Sequence, residues 1–120
     1  MRAKYAEKTS KKVEFEDVKG LKVLIKKVEG ADINQLQQLS KTLSEDNTII
    51  ILFGITDKVS IFGSAGDAAV KHGINIGKLV STTCQKLGGK GGGRENLAQG
   101  VGVNKDYVDA VIGELKKLVQ

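Results

Sequence analysis

"NTIIILFGITDKVSIFGS", residues 47–64, decides the fold class. Its first half, 47–55, is an almost continuous β-branched run, the pattern of a strand buried on both faces. Only Thr56 and Asp57 separate it from a second strand-like run at 58–64, a spacing short enough for a hairpin. A pair of strands of this kind belongs inside a sheet covered by helices, and the flanking sequence supplies both more strands and the helices.

Upstream, 21–28 reads as a strand, and the shorter, imperfect alternation of 13–18 reads as another, with Gly20 between them. Asp32 stands at an N-cap position with Gln35 three residues on, a capping-box arrangement. Ile33, Leu36, Leu39 and Leu43 then give an apolar helical face. Downstream, 66–73 reads as a short helix ended by Gly73. Asn75 caps the next helix, whose apolar positions Ile76, Leu79, Val80, Thr83, Cys84 and Leu87 follow helical spacing. Lys86 in its last turn and Gly88 just beyond make a stop signal. "ENLAQGVGV" (95–103) reads as extended, and Asn104 is expected to cap a final helix with Val108, Val111, Ile112, Leu115, Leu118 and Val119 on one face. The order β-β-α-β-β-α-(glycine loop)-β-α predicts an α/β single domain, a mixed β-sheet covered by helices.

Bulk properties agree with one soluble domain. At 120 residues the chain can bury a single core, and 40% apolar with 28% charged residues excludes a disordered chain. A formal charge of +5 favours an anionic partner. Cys84 is the one cysteine and His72 the one histidine, so a disulfide framework and a Cys/His zinc site are both excluded within this chain. Residues 1–12 carry Arg2, Lys4, Lys8, Lys11 and Lys12, with little to bury, and do not form a secretory signal. No apolar run has the length to cross a bilayer. A cytoplasmic protein without membrane contact is expected.

Catalytic constellations fail for want of partners. His72, in a turn beside Gly73, has no Ser-Asp or Cys84 partner, because Cys84 faces the core. Asp106, Asp109 and Glu114 on the last helix, and Glu45 and Asp46 in a loop, make no pair for acid/base work or for a divalent cation. No catalytic residue, metal or cofactor is expected in this chain.

"LGGKGGGRENLAQG" (87–100) is the unusual stretch: between Gly88 and Arg94 every residue but Lys90 and Arg94 is glycine. Such a run reads as a loop, since glycine weakens any regular element it interrupts. It fails the phosphate-loop pattern, because Lys90 is followed by glycine, and it fails the dinucleotide fingerprint in its spacing. Consecutive glycines can still gather backbone N–H groups into an anion-binding concavity, with Lys90 and Arg94 supplying charge at its flanks. Lys78, Thr82 and Lys86 recur every four residues on one helical face and could extend that patch.

"GGKGGGR..LAQG" resembles the signature of the C-terminal domain of alanyl-tRNA synthetases, a member of the DHH-associated family of small α/β domains. Gly88, Gly89, Lys90, Gly91, Gly92, Gly93 and Arg94 match it, as do Ala98 and Gln99, whereas Glu95 stands where the family usually has proline. The resemblance extends from about Val13 to Val119 and includes "GINIGKLVSTTCQKL" before the motif and the paired strands upstream.

The resemblance implies a DHH-associated α/β domain over 13–120, with 1–12 the basic end of a longer helical segment. It implies a non-catalytic domain of an alanine–tRNA ligase that contacts tRNA and links the aminoacylation and editing domains. Its nucleic-acid-binding residues would be Gly88, Gly89, Lys90, Gly91, Gly92, Gly93, Arg94 and Gln99, extended by Lys78 and Lys86. Partners would be alanine tRNA, the other domains of the parent synthetase and, only through an upstream helical segment expected to be missing or truncated here, a second copy. The same domain type serves DHH phosphoesterases as a nucleotide-holding half, and ends freestanding alanyl-tRNA editing proteins. The phosphoesterase branch typically carries histidine where Arg94 stands. With few aromatics and no cluster of them, phosphate and shape recognition is expected to dominate over base stacking.

Overall fold

The β-branched run around Ile51 lies at the heart of a six-stranded sheet. The computed structural model describes residues 16–18 and 20–118. The basic segment 1–12, the start of the first expected strand with Val13 and Phe15, and Val119 lie outside the described residues. The elements are β1 (Glu16–Val18), β2 (Leu21–Glu29), α1 (Ile33–Leu43), β3 (Thr48–Ile55), β4 (Val59–Ala65), α2 (Asp67–Lys71), α3 (Ile76–Lys86), β5 (Lys90–Gly93), β6 (Leu97–Gly102) and α4 (Val108–Leu118). A single 3-10 turn, Lys105–Tyr107, leads into α4.

The sheet order is β1-β2-β3-β4-β6-β5. The pair β2–β3 is parallel, bridged by α1, and every other neighbouring pair is antiparallel. The sheet is therefore mixed, as the sequence predicts. Two helix starts have their cause in view. Asp32 accepts the Gln35 amide proton at 2.9 Å while the Gln35 side chain accepts from the Asp32 amide at 2.9 Å, closing the capping box. Asn75 accepts from the Lys78 amide at 3.1 Å and starts α3.

Two apolar layers flank the sheet. On one side α1 lays Leu36 over Leu24, Val28, Ile50, Leu52 and Phe62. On the other, Ile76, Val80 and Cys84 of α3 and Val108, Val111 and Leu115 of α4 pack over Val23, Ile49, Ile51, Phe53 and Ile61. Strand β3 is buried from Thr48 to Gly54, as a strand enclosed by both layers must be.

The structure corrects the sequence reading twice. The glycine run is not a loop: Lys90–Gly93 is strand β5, at one edge of the sheet, paired with β6 in the register Lys90↔Val101 to Gly93↔Ala98. The final helix is not capped by the Asn104 side chain, which makes no cap hydrogen bond, because the 3-10 turn intervenes before α4 begins at Val108.

Candidate nucleic-acid interface

Two of the three glycines of strand β5 leave no room for a side chain, Gly91 against Cys84 of α3 and Gly100 of β6, and Gly93 against Leu97 and Ala98 of β6. Gly91 and Gly93 alternate onto the face covered by α3, and Gly100 of β6 sits opposite Gly91. A β-carbon on Gly91 would stand 2.6 Å from Cys84 Sγ, and one on Gly77 of α3 would stand 2.6 Å from the Gly93 carbonyl oxygen. No real β-carbon tolerates such separations, so helix and strand can meet this closely only where side chains are missing. Gly88, at φ +78°, makes the left-handed turn that ends α3. Gly89 donates to the Cys84 carbonyl at 2.8 Å in the same turn. Gly92 faces the other way, where nothing stands within 4 Å of its would-be β-carbon.

Cys84 is consequently sealed between α3 and the β5–β6 pair. Burial pushes its thiol up to about 11, against the pull of a hydrogen bond with the Val101 backbone. It is a packing group with no nucleophilic character at neutral pH.

The backbone of β5 has a free side. The Arg94 amide donates to the Leu97 carbonyl at 2.8 Å. By the alternation of an antiparallel ladder, Gly92 and Lys90 also bond to β6, whereas the N–H groups of Gly91 and Gly93 turn toward the edge of the sheet. The N-terminus of α3, by contrast, is already satisfied. Ile76 donates to the Glu95 carbonyl and Gly77 to the Arg94 carbonyl, both at 2.8 Å, and Asn75 takes the Lys78 amide. The donors left for a ligand belong to the strand edge, not to the helix end.

The sequence-predicted side chains surround this strand without converging on one point. Lys90 and Gln99 share the sheet face left open beyond α1, where they line a groove of about 550 Å³ with Ile33, Lys58, Ser60 and Val101. Lys78 borders a second groove of about 470 Å³, between α3 and the edge of β5, with Asn75, Ser81, Thr82, Gly92 and Gly93. Arg94 lies past the other end of β5, beside Asp67, Glu95 and Asn96. Lys90 and Arg94 are four residues apart on an extended chain, roughly 13 Å, too far to grip one phosphate and well placed to touch separate ones. Lys86 is turned away, in an ion pair with Glu114 of α4.

Lys58, Lys78, Lys90 and Arg94 make no ion pair among the described residues, and Arg94 makes none with its neighbour Glu95. Lys58 was missed by sequence reading. It reaches the site because β6 inserts between β4 and β5, and no local signal announces that order. Among the described residues no cluster of three or more His, Cys, Asp or Glu could hold a metal ion, and no helix is long and apolar enough to cross a membrane.

Residues 20–120 match the DHHA1 domain. The chain belongs to the DHHA1 family. Its relatives include the alanine–tRNA ligase of Methanococcoides burtonii, 36% identical over 106 residues, which cover 88% of this chain and 12% of that protein. The alanine–tRNA ligase of Methanocorpusculum labreanum is 31% identical over the whole chain, again spanning a small part, 13%, of the relative. This DHHA1 domain thus corresponds to about an eighth of the curated relatives it matches. Among solved structures, the C-Ala domain of Aquifex aeolicus alanyl-tRNA synthetase superposes with a TM-score of 0.77 at 21% identity, covering 88% of this chain and 97% of that one. A DHH-domain member of the s1p family of ribosomal proteins superposes with a TM-score of 0.57 at 14% identity, covering 99% of this chain and 30% of that one. Both share the fold of this DHHA1 domain.

Proposed function

We propose that this DHHA1 domain is the tRNA-contacting C-terminal domain of a cytoplasmic alanine–tRNA ligase, non-catalytic itself, joining aminoacylation and editing domains on one substrate. The observation that carries the reading is the glycine edge strand with unpaired Lys90 and Arg94 at its two ends and the Gly91 and Gly93 N–H groups turned outward. The kinship with alanine–tRNA ligases supports alanine tRNA as that RNA. Phosphates approach a strand whose side chains are absent, Lys90 and Arg94 neutralise successive charges, and Lys58 and Lys78 widen the track on either side of β5. Contacts of this kind position an RNA and carry no base sequence. Arg94 suits the role because its fork can hold a phosphate at two points.

Binding of the domain to alanine tRNA across a salt series, beside the Lys90→Ala/Arg94→Ala double variant, tests the proposal. The wild type is expected to weaken steeply with salt. The double variant should bind less tightly with a shallower slope, by roughly 0.7–0.9 per lost contact. Absence of binding at low salt would refute the RNA reading. It would leave the exposed Leu97 and Val101 on the open sheet face as a docking surface for the rest of a synthetase.

A further inference from the structure

A second groove lies away from β5, where β6 runs into α4. Val103 and Asn104 both direct their amides at the Leu87 carbonyl, at 2.8 and 3.0 Å, which folds this connection over the end of α3. The Tyr107 amide donates to the Asn104 carbonyl at 3.1 Å and closes the 3-10 turn. The groove so formed, about 720 Å³, is lined by Lys86, Val103, Asn104, Lys105, Asp106 and Tyr107.

Its chemistry differs from that of the β5 edge. Tyr107 is 46% exposed, while Phe53 and Phe62 are buried, so Tyr107 is the exposed aromatic ring among the described residues. Val103 beside it is 62% exposed, an apolar neighbour for a flat ring. The Asn104 side chain makes no hydrogen bond and leaves its donor and acceptor free. Lys105 makes no ion pair, Lys86 is held by Glu114, and Asp106 adds a carboxylate. Two cations against one carboxylate in the lining, with a second carboxylate on Lys86, is too balanced for a run of phosphates. It matches a group with a flat face, a mixed donor and acceptor edge, and one adjoining negative charge.

We propose that this groove holds one unpaired nucleotide of the bound RNA: the base stacked on Tyr107, its edge met by Asn104 and Asp106, and its phosphate by Lys105. The inference rests on the RNA reading above and adds a base contact to it. Tyr107 contributes its face, Asn104 the paired donor and acceptor with which amide side chains meet base edges, and Asp106 an acceptor for an exocyclic amine. One ring suffices to hold one base.

The chain has no tryptophan and two tyrosines, Tyr5 and Tyr107, so in a Tyr5→Phe background tyrosine emission reports on this groove alone. Three probes distinguish the sources of a base: alanine tRNA, a blunt fully paired RNA duplex, and free nucleoside monophosphates, each with binding followed separately by anisotropy. Bound tRNA should quench Tyr107 emission, and the bound duplex should leave it unchanged. Tyr107→Phe should keep wild-type tRNA affinity, and Tyr107→Ala should lose about fivefold or more, with circular dichroism confirming that the variant is folded. Bound tRNA without quenching, wild-type affinity in Tyr107→Ala, or quenching by free nucleotides alone would each overturn the assignment. Failure of tRNA to bind at all would be seen by anisotropy, and would strike the RNA reading first.

Discussion

Gly77 and Gly93 meet with no room for a single further carbon: a β-carbon on the helical glycine would stand 2.6 Å from the carbonyl oxygen of the strand glycine. This contact requires glycine at 77, while within the motif a β-carbon on Gly91 would meet Cys84 Sγ and one on Gly89 or Gly93 would meet the backbone of β6. Helix α3 lies against backbone, and the amides of Ile76 and Gly77 use the Glu95 and Arg94 carbonyls as their hydrogen-bond partners.

Glycine-to-alanine changes should therefore split by position. Gly77→Ala and Gly91→Ala force backbone or the buried Cys84 to move and should each destabilise the domain, by about 1–3 kcal/mol for overpacking of this kind. Gly113 lies inside α4 with nothing within 4 Å of its would-be β-carbon, so Gly113→Ala should stabilise by about 1 kcal/mol through helix propensity. Urea unfolding of the three variants measures both signs.

Cys84 gives the domain a dependence on alkaline pH. Its ordinary value of 9.0 is raised to about 11 in the folded protein by burial. Below pH 9 both folded and unfolded chains hold the proton, and the contribution to stability is complete. Between 9 and 11 the unfolded chain gives up the proton and the folded one keeps it, so stability falls by up to about 1.4 kcal/mol per pH unit. Cys84→Ala removes this component. The difference in unfolding free energy between wild type and variant should shrink from pH 9 to pH 11 and be flat between pH 6 and 8.

What the sequence disclosed was what neighbours in the chain decide. The capping box of Asp32 and Gln35, the Asn75 cap, and the stops at Gly73 and Gly88 all act within four residues. The β3 run announces its burial through its own composition. Strand β5 was hidden because its residues carry no strand preference: Gly91, Gly92 and Gly93 are extended by pairing with β6 and by the helix above them. The order β4-β6-β5 is equally non-local, and it is this order that brings Lys58 to Lys90 and Gln99. The anion reading of the glycines rests on N–H groups gathered into a loop concavity, whereas Gly91 and Gly93 lie in a paired strand and, like Gly77, answer a steric demand. That leaves only the edge-facing N–H groups of β5 for a ligand.

Beneath α1, Ser40 and Ser64 form a buried pair, Oγ to Oγ at 2.7 Å. Ser40→Ala leaves the Ser64 hydroxyl without its partner in an apolar layer and should cost about 1–3 kcal/mol. Removing both hydroxyls abolishes the orphan, so the Ser40→Ala/Ser64→Ala variant should be less destabilised than the two single changes summed. A double-mutant cycle in urea gives the coupling directly.

Lys78 and Lys86 occupy the same helix two turns apart, yet the structure gives them different expected weights in RNA binding. Lys78 stands free beside Gly92 and Gly93, whereas Lys86 already answers Glu114. A cation held by a carboxylate must give up that partner, or share it, to meet a phosphate. Lys78→Ala should therefore weaken tRNA binding more than Lys86→Ala and take more from the salt slope. Glu114→Gln makes the converse case: with its partner uncharged, Lys86 becomes available, and affinity at low salt should rise modestly while domain stability changes by no more than about 1 kcal/mol, as expected of an exposed pair. Equal losses for the two lysine variants, with no gain from Glu114→Gln, would show that the ion pair does not govern which cations the RNA uses.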